Sequence, residues 1–130
     1  MRGGDAHARD PANNCFVAFK LAANRKTRAA AALACEAMQA TLAKVDSADS
    51  NATVLSLITG LEAWLGATDA VTENTFLWTD NTPLDFENFC TGEPNNGLGQ
   101  VEEACLLIEG ATWDDRGCGF TLAYVCSFTP

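Results

Sequence analysis

The sequence has few of the groups that catalysis and transition-metal binding require. It contains a single histidine, His7, near the N-terminus. Catalysis by Ser/His/Asp or Cys/His groups needs a histidine beside the nucleophile, and zinc prefers nitrogen and sulfur ligands. The chain also lacks a glycine-rich loop that would cradle a phosphate. Paired carboxylates remain for glycosidic chemistry, but the best of them are better explained as metal ligands. We therefore predict that the protein is not an enzyme.

Positive charge is nearly missing from the C-terminal two thirds of the chain. Residues 46–130 contain one basic residue, Arg116, against fourteen acidic ones, whereas residues 1–45 contain seven basic and three acidic residues. The net charge at pH 7 is −9. An acidic region of this size repels phosphate backbones and anionic lipids and concentrates cations. We therefore predict that nucleic acid is not a partner.

Long apolar runs are missing as well. No run approaches the roughly 20 residues that cross a bilayer, so membrane insertion is not expected. The 130 residues suffice for one domain with its own core. Six cysteines indicate an oxidising compartment, and we expect a secreted or cell-surface location. Residues 1–14 are polar and aperiodic. They are predicted to be a tail, a linker or a remnant of cloning, which leaves residues 15–130 as the domain.

The N-terminal half of the pattern predicts one strand and two helices. Residues 16–21 are typical of a strand, and residues 29–40 are rich in helix formers, with Thr27 as the N-cap. A second helix is predicted over residues 50–59, and Gly60 would end it. The inward side chains of the two helices are predicted to be Leu33, Cys35, Met38, Val54, Leu55 and Ile58. The second helix also contains Asn51-Ala52-Thr53, an acceptor sequence for N-glycosylation.

The C-terminal half predicts antiparallel strands around one long loop, so the fold class is α+β. Short apolar runs alternate with turn residues. These runs are residues 63–67, 76–79, 105–108, 112–113 and 122–127. Residues 79–103 are rich in Pro, Asn and Gly with little regular pattern, which is typical of a functional loop. Leu84, Phe86 and Phe89 are expected to hold this loop from inside.

Side chains that carry oxygen are dense between residues 93 and 118. The residues concerned are Glu93, Asn95, Glu102, Glu103, Asp114 and Asp115. Ca2+ takes roughly 6 to 8 oxygen ligands from carboxylates, amide carbonyls, the backbone and water. Pro94 fixes its own φ, and an X-Pro bond adopts the cis form at modest cost, so the carbonyls on either side of it can point the same way. The pattern predicts a calcium site. The alternative is a solvated acidic loop without metal.

The sequence resembles the C-type lectin-like domain family over residues 15–128. The motifs that correspond to the family's Trp-Ile-Gly, sugar-type and Trp-Asn-Asp motifs are Trp64-Leu65-Gly66, Glu93-Pro94-Asn95 and Trp113-Asp114-Asp115. The cysteine order also matches, and residues 65–73 are most similar to the mannose-binding collectins. The resemblance implies a C-type lectin-like fold, with two helices, antiparallel sheets and a long calcium-binding loop.

The resemblance also implies one principal calcium site, at which a sugar would bind to the same ion. The metal ligands would be Glu93, Asn95, Glu103, Asp114 and Asp115. The carbohydrate would contact Glu93, Asn95, Glu103 and Asp114. Glu102 is an alternative to Glu103, because the spacing after Asn95 is longer than in collectins. The Glu-Pro-Asn order resembles members that bind mannose, fucose, glucose or N-acetylglucosamine.

Two positions of this site depart from the family pattern. Asp114 stands where the family most often has Asn, and an ionised Asp offers no donor to a sugar hydroxyl. A second calcium site would use Asp69, Glu73 and Asn96, but Ala104 replaces an acidic ligand of that site. The alternative role for Asp69 and Glu73 is to cap the turn after Gly66.

The cysteine order implies two bridges of the family, Cys35 with Cys126 and Cys105 with Cys118. Cys15 and Cys90 are additional to these four. They would bridge each other, remain free thiols or form an intermolecular bond. In the family the first strand and the long loop lie at opposite ends of the domain, which opposes a bridge between Cys15 and Cys90.

The resulting prediction is a calcium-dependent carbohydrate-binding domain. An open lectin site of this kind binds a single sugar weakly, on the order of millimolar. Useful binding then requires an oligomer, or repeated domains in a larger protein. The alternative is a lectin-like domain that binds a protein or a nonsugar surface such as ice or mineral.

Overall fold

A computed structural model describes residues 6–72, 75–89, 104–110 and 112–128. It confirms the predicted α+β class. The elements in chain order are β1 (Ala6–Arg9), β2 (Cys15–Phe19), α1 (Arg28–Ala37), β3 (Thr41–Leu42), α2 (Ala48–Leu57), β4 (Glu62–Thr72), β5 (Thr75–Trp78), β6 (Ala104–Glu109), β7 (Thr112–Gly117) and β8 (Ala123–Phe128). A short 3-10 helix at Ala22–Asn24 lies between β2 and α1. Within these ranges no helix is both long and apolar enough to cross a membrane.

The strands form one sheet in the order β1-β2-β8-β4-β6-β7, with β3 paired to β8 and β5 paired to β4. Neighbouring strands are antiparallel except β4 and β8, which run parallel. In this order β1, β2 and β8 are neighbours at one edge of the sheet, and β7 lies at the other edge. Within the described ranges, the strand that carries Asp114 and Asp115 is therefore at one edge of the sheet.

Residues 6–9 form a strand, and so the prediction of a tail over residues 1–14 is wrong for this segment. Strand β1 pairs antiparallel with β2 over four residue pairs, and His7 belongs to it. The turn that follows is held by Asp10, whose carboxylate accepts hydrogen bonds from the backbone N–H and side-chain amide of Asn14, at 2.8 and 3.0 Å. The segment is a strand because it pairs with β2. Its polar composition does not predict this tertiary contact.

Helix α1 begins where the sequence predicts. The Thr27 hydroxyl accepts a hydrogen bond from the backbone N–H of Ala30, as an N-cap does. Ala31 and Cys35, four residues apart, are completely buried. Leu33 was expected to face the core but is 67% exposed. Two residues correspond to about 200° of rotation, so Leu33 lies opposite the buried face.

Helix α2 begins at a capping box, in which Ser47 and Ser50 exchange side-chain and backbone hydrogen bonds. Val54 and Ile58 are buried as predicted, at 0% and 1% exposed. The helix ends at Leu57, and Gly60 follows with φ +79°. A side chain is disfavoured in this left-handed conformation, so glycine suits the turn into β4.

The two helices pack against separate hydrophobic clusters. One cluster contains the buried side chains of α2 with Trp78 and Trp113. The other contains Cys35 of α1 with Trp64 and Tyr124. Cys35 forms a disulfide with Cys126 of β8, with Cα atoms 5.5 Å apart, and this is the pairing that the cysteine order implies. It links the first helix to the last strand.

The Trp64-Leu65-Gly66 motif is explained by a close approach between β4 and β3. A Cβ atom on Gly66 would lie 2.5 Å from the backbone oxygen of Leu42. The Gly66 N–H donates to the carbonyl of Ala43 at 2.9 Å. The indole N–H of Trp64 donates to the carbonyl of Lys26 at 3.1 Å. The motif therefore joins two backbone segments that a larger residue at position 66 would separate.

Candidate functional site

Strand β7 carries two adjacent carboxylates whose side chains lie on opposite faces of the sheet. Trp113 and Asp115 are buried, at 0% and 4% exposed. Asp114 and Arg116 alternate with them and are half-buried. Asp115 lies opposite Leu106 on β6, and Asp114 lies opposite Leu107. This alternation is the ordinary geometry of a strand.

The Asp114 side chain turns back along the backbone of β7. Its Oδ1 accepts a hydrogen bond from the backbone N–H of Asp115 at 2.8 Å. Among the described strands β7 lies at one edge of the sheet, and Phe89 forms a parallel bridge with Trp113 along that edge. The strand carries two consecutive carboxylates, one on each face. Carboxylate and carbonyl oxygens are the ligands that Ca2+ prefers.

A disulfide holds β7 in register with β6. Cys105 and Cys118 are bonded, with Cα atoms 5.3 Å apart and a sequence separation of 13. This is the second pairing that the cysteine order implies. Cys105 lies directly opposite Arg116 in the ladder. The bridge therefore closes the hairpin beside the two carboxylates.

An aromatic cluster, Trp113 with Trp78, Phe86 and Phe89, packs behind the buried face of β7. The ring centroids of Trp78, Phe86 and Phe89 lie 5.9, 5.7 and 5.8 Å from that of Trp113, all close to edge-on. The backbone N–H of Trp113 also donates to the carbonyl of Asn88 at 2.9 Å. The prediction that Leu84, Phe86 and Phe89 hold the loop from inside is confirmed, because all three pack against the core.

Asn51 is a residue whose role the sequence analysis missed. Its side-chain oxygen accepts a hydrogen bond from the indole N–H of Trp113 at 2.9 Å. Asn51 is 7% exposed within α2, so a glycan on its side chain is incompatible with this packing, and the acceptor sequence is not usable in the folded protein. Its spacing of three and seven residues from Val54 and Ile58 placed it on the buried face, a signal that was available in the sequence.

A charged corner, consisting of Glu62, Glu109 and Arg116, occupies the other face of β7. Arg116 forms an ion pair with Glu62, and its hydrogen bond lowers the pKa of Glu62. Glu109 lies directly opposite Glu62 in the ladder, and its contact with that carboxylate raises the pKa of Glu109. Arg116 also lies 5.7 Å from the ring centroid of Phe120. The one basic residue of the acidic region is therefore engaged in structural contacts.

Three of the predicted site residues lie in the part of the chain that the structure describes. These are Asp114, Asp115 and Asp69, the last on β4 and 2% exposed. Within that part, no three His, Cys, Asp or Glu side chains converge to hold a metal ion. Outside it lie Glu73, Glu93, Asn95, Asn96, Glu102 and Glu103. The ligand sets of both calcium sites therefore stay predictions.

The pairing of Cys15 also stays a prediction. Cys15 begins β2 and is 4% exposed, whereas Cys90 lies outside the described residues.

Comparison with known proteins identifies the relatives of this fold. The family model of the lectin C-type domain matches residues 24–128. The low affinity immunoglobulin epsilon Fc receptor of Mus musculus is 33% identical over 97 residues, which are 74% of this chain and 29% of the receptor. The chain thus spans less than a third of that relative.

Two solved structures share the fold over nearly their whole length. The cow C-type carbohydrate-recognition domain of CD23, crystallised in the presence of GlcNAc2Man3 oligosaccharide, is 28% identical, with a TM-score of 0.84 and coverage of 99% of this chain and 97% of that one. A calcium-independent type II antifreeze protein is 21% identical, with a TM-score of 0.80 and coverage of 98% and 95%. At that identity the antifreeze protein shows the fold alone. These relatives establish the family, but not the collectin subtype.

Proposed function

The chain belongs to the C-type lectin domain family, and from this premise we propose that it is a calcium-dependent carbohydrate-binding domain. Domains of this family commonly bind Ca2+, although some relatives are calcium-independent. The observation that supports calcium most directly is the edge of β7. There, two consecutive residues of one strand, Asp114 and Asp115, carry carboxylates, and the Asp114 carboxylate accepts a hydrogen bond from the backbone N–H of Asp115.

The proposed ligands of the ion are Glu93, Asn95, Glu103, Asp114 and Asp115. Asp114 and Asp115 are consecutive carboxylates of β7, and each would supply a negative oxygen to the same ion. Ca2+ accepts such sets at variable geometry and retains positions for water or ligand. When bound, the ion would supply two open coordination positions for adjacent sugar hydroxyls.

The proposed sugar class is mannose, fucose, glucose or N-acetylglucosamine. It rests on the Glu93-Pro94-Asn95 motif. The crystal structure of the CD23 domain in the presence of GlcNAc2Man3 oligosaccharide supports a glycan as the ligand class. Asp114 in place of Asn removes one donor to a sugar hydroxyl. We therefore expect Asp114→Asn to increase the binding of mannose.

A second calcium site is proposed at Asp69, Glu73 and Asn96, on the resemblance of these positions to the auxiliary site of the collectins. Asp69 is a buried carboxylate on β4. The number of Ca2+ ions bound per protein molecule, measured by calorimetric titration, distinguishes one site from two. A stoichiometry that falls when Asp69→Asn is introduced would support the second site.

Calorimetric titration with Ca2+ tests the principal site. We expect wild-type protein to bind Ca2+ and Asp115→Asn to lose binding, because the variant keeps the shape of the side chain but not its charge. Asp80→Asn is the matched control. Asp80 is an exposed carboxylate paired with Lys44, and its removal is expected to leave Ca2+ binding unchanged. Equal binding by wild type and Asp115→Asn would contradict the ligand assignment.

Retention on mannose resin, with and without a chelator, tests the sugar. We expect calcium-dependent retention on mannose and none on galactose. A protein that binds Ca2+ and yet elutes from both resins would contradict the carbohydrate ligand. That result would favour the alternative, a nonsugar ligand such as a protein, ice or mineral surface.

The remaining parts of the proposal follow from the family and the cysteines. The family is generally not enzymatic, and we expect no hydrolysis of a bound glycan. The two disulfides suit a secreted or cell-surface location. Because a single open site binds sugar weakly, we expect the domain to act in an oligomer or within a larger protein.

A further inference from the structure

Asn51 connects helix α2 to the strand that carries the two carboxylates. Its side-chain oxygen lies 2.9 Å from the indole nitrogen of Trp113, 62 residues later in the chain. Both residues are buried, at 7% and 0% exposed. A hydrogen bond between two buried groups is shielded from exchange with water, so it fixes the distance between the elements that carry them.

The chemistry of the two groups makes this contact directional. An indole N–H only donates, and a buried indole usually finds an acceptor. The Trp113 ring also makes edge-on aromatic contacts with Trp78, Phe86 and Phe89. Such contacts act over centroid distances of about 4.5–7 Å, whereas a hydrogen bond joins one donor atom to one acceptor atom over a narrow range of distance. The hydrogen bond that the indole N–H donates to Asn51 is thus the contact that sets the orientation of the ring most narrowly.

Trp113 immediately precedes Asp114 and Asp115, so the orientation of its ring is coupled to their backbone. The backbone N–H of Trp113 donates to the carbonyl of Asn88 at 2.9 Å. Trp113 therefore links three parts of the fold: helix α2, the backbone at Asn88 and the strand of the carboxylates. A rotation of the indole would displace the backbone on which both carboxylates depend.

We propose that Asn51 is a positioning residue for the carboxylates of β7. By accepting the indole N–H of Trp113, its amide oxygen holds the strand at the place where Asp114 and Asp115 meet a cation. Asn51 itself does not contact the ion. The inference rests on the proposed calcium function for its ligand, but the positioning of the strand is measurable without metal.

Three variants separate positioning from general stability. Asn51→Leu has a similar size and removes the acceptor, whereas Asn51→Asp keeps an acceptor oxygen in the same place. Val54→Ala is the matched control, because Val54 is a fully buried residue of the same helix. It creates a cavity under α2 while leaving the Asn51–Trp113 hydrogen bond intact.

Calcium titration of these variants gives the first measurement. Loss of a residue that orients metal ligands typically costs 10–100-fold in metal affinity. We expect Asn51→Leu to weaken Ca2+ binding about 10-fold and Asn51→Asp to recover most of that loss. Val54→Ala is expected to lower the melting temperature with little change in Ca2+ affinity. Equal Ca2+ affinities for wild type and Asn51→Leu would overturn the inference, as would an equal weakening by Val54→Ala.

The second measurement is hydrogen exchange at the backbone amides of Asp114 and Asp115 in the absence of calcium. We expect faster exchange at these amides in Asn51→Leu than in Val54→Ala, after correction for global stability. Unchanged exchange would overturn the inference even if calcium binds. A wild-type protein that binds no Ca2+ would overturn the proposed function, and the exchange result would still decide whether Asn51 positions the strand. If Asn51→Leu does not fold, Asn51→Ala is measured instead, with the same direction of change expected.

Discussion

The two faces of β7 are held by different kinds of interaction. On the buried face, Trp113 packs among the other rings of the aromatic cluster, and its indole N–H donates a hydrogen bond to the side-chain oxygen of Asn51. On the other face, the charged corner balances Arg116 against two carboxylates at the half-exposed surface. Burial of a large aromatic ring contributes several kcal/mol, whereas a surface ion pair contributes about 0–1 kcal/mol. Apolar packing therefore sets the position of the strand, and charge adjusts its stability with pH and salt.

The largest effect is expected from emptying the buried face. Trp113→Ala should lower the free energy of unfolding by about 3–5 kcal/mol, because it leaves a cavity among three aromatic rings. Urea unfolding followed by circular dichroism measures this. Trp113→Phe, which keeps one ring but loses the N–H, is the control and should cost less. A loss below about 1 kcal/mol for Trp113→Ala would show that the aromatic cluster does not hold the strand.

A smaller effect is expected from opening the hairpin on the other face. Replacing both Cys105 and Cys118 with serine should lower the free energy of unfolding by about 3 kcal/mol, the chain-entropy value for a loop of this size. The double variant avoids a lone reactive thiol, and the Cys35–Cys126 bridge is left in place as the internal control. Urea unfolding under oxidising conditions is the measurement. Unfolding curves that superimpose on those of wild type would refute the prediction.

Removal of the ion pair should have a modest effect that depends on salt. Arg116→Gln leaves Glu62 beside Glu109 without a balancing charge, and we expect a loss of about 1 kcal/mol at low ionic strength. Salt screens the remaining repulsion, so the loss should shrink at about 1 M salt. Urea unfolding at both ionic strengths tests this. A loss as large as that of Trp113→Ala would reverse the ranking of the two faces.

The smallest effect is a gain in stability from Glu109→Gln. Contact with Glu62 raises the pKa of Glu109 in the folded state above the ordinary value of 4.5. A raised folded-state pKa means that the contribution of Glu109 is most favourable below pH 4.5 and is lost as the pH rises through the folded-state pKa. At pH 7 the variant should therefore melt about 1–3 °C higher than wild type.

Melting curves across the pH range check the sign of this gain, which should disappear near pH 4 as Glu109 becomes protonated. Glu36→Gln, which removes an exposed carboxylate from α1, is the control and should show no comparable gain. A destabilised Glu109→Gln at pH 7 would mean that attraction to Arg116 outweighs repulsion from Glu62.

Local patterns in the sequence were sufficient to predict most of the helices and strands. The cap at Thr27 and the buried positions Val54 and Ile58 were correctly predicted, because they depend on helical periodicity and on residues close in the chain. Leu33 was wrongly placed inside, because in an alanine-rich helix the periodicity of one large side chain does not select a face. Strand β1 was missed, because its order comes from pairing with β2 rather than from its own composition.

The contacts around the site required the tertiary structure. Asn51 reaches Trp113 across 62 residues, and Arg116 reaches Glu62 across 54. The sequence does not predict these partners. Many acceptors in the chain could bind an indole N–H, and many acidic side chains could bind a guanidinium. Sheet register and helix packing select among them.

By itself the sequence determined the family, through ordered motifs and cysteines, and the residues offered as calcium ligands. Only the fold decided that Asp114 and Asp115 lie on opposite faces of an edge strand, that Asn51 orients the tryptophan before them, and that Arg116 is occupied by Glu62. The physical reason is that motifs report residue types and local conformation. Contacts between distant residues depend instead on how strands pair and which faces are buried.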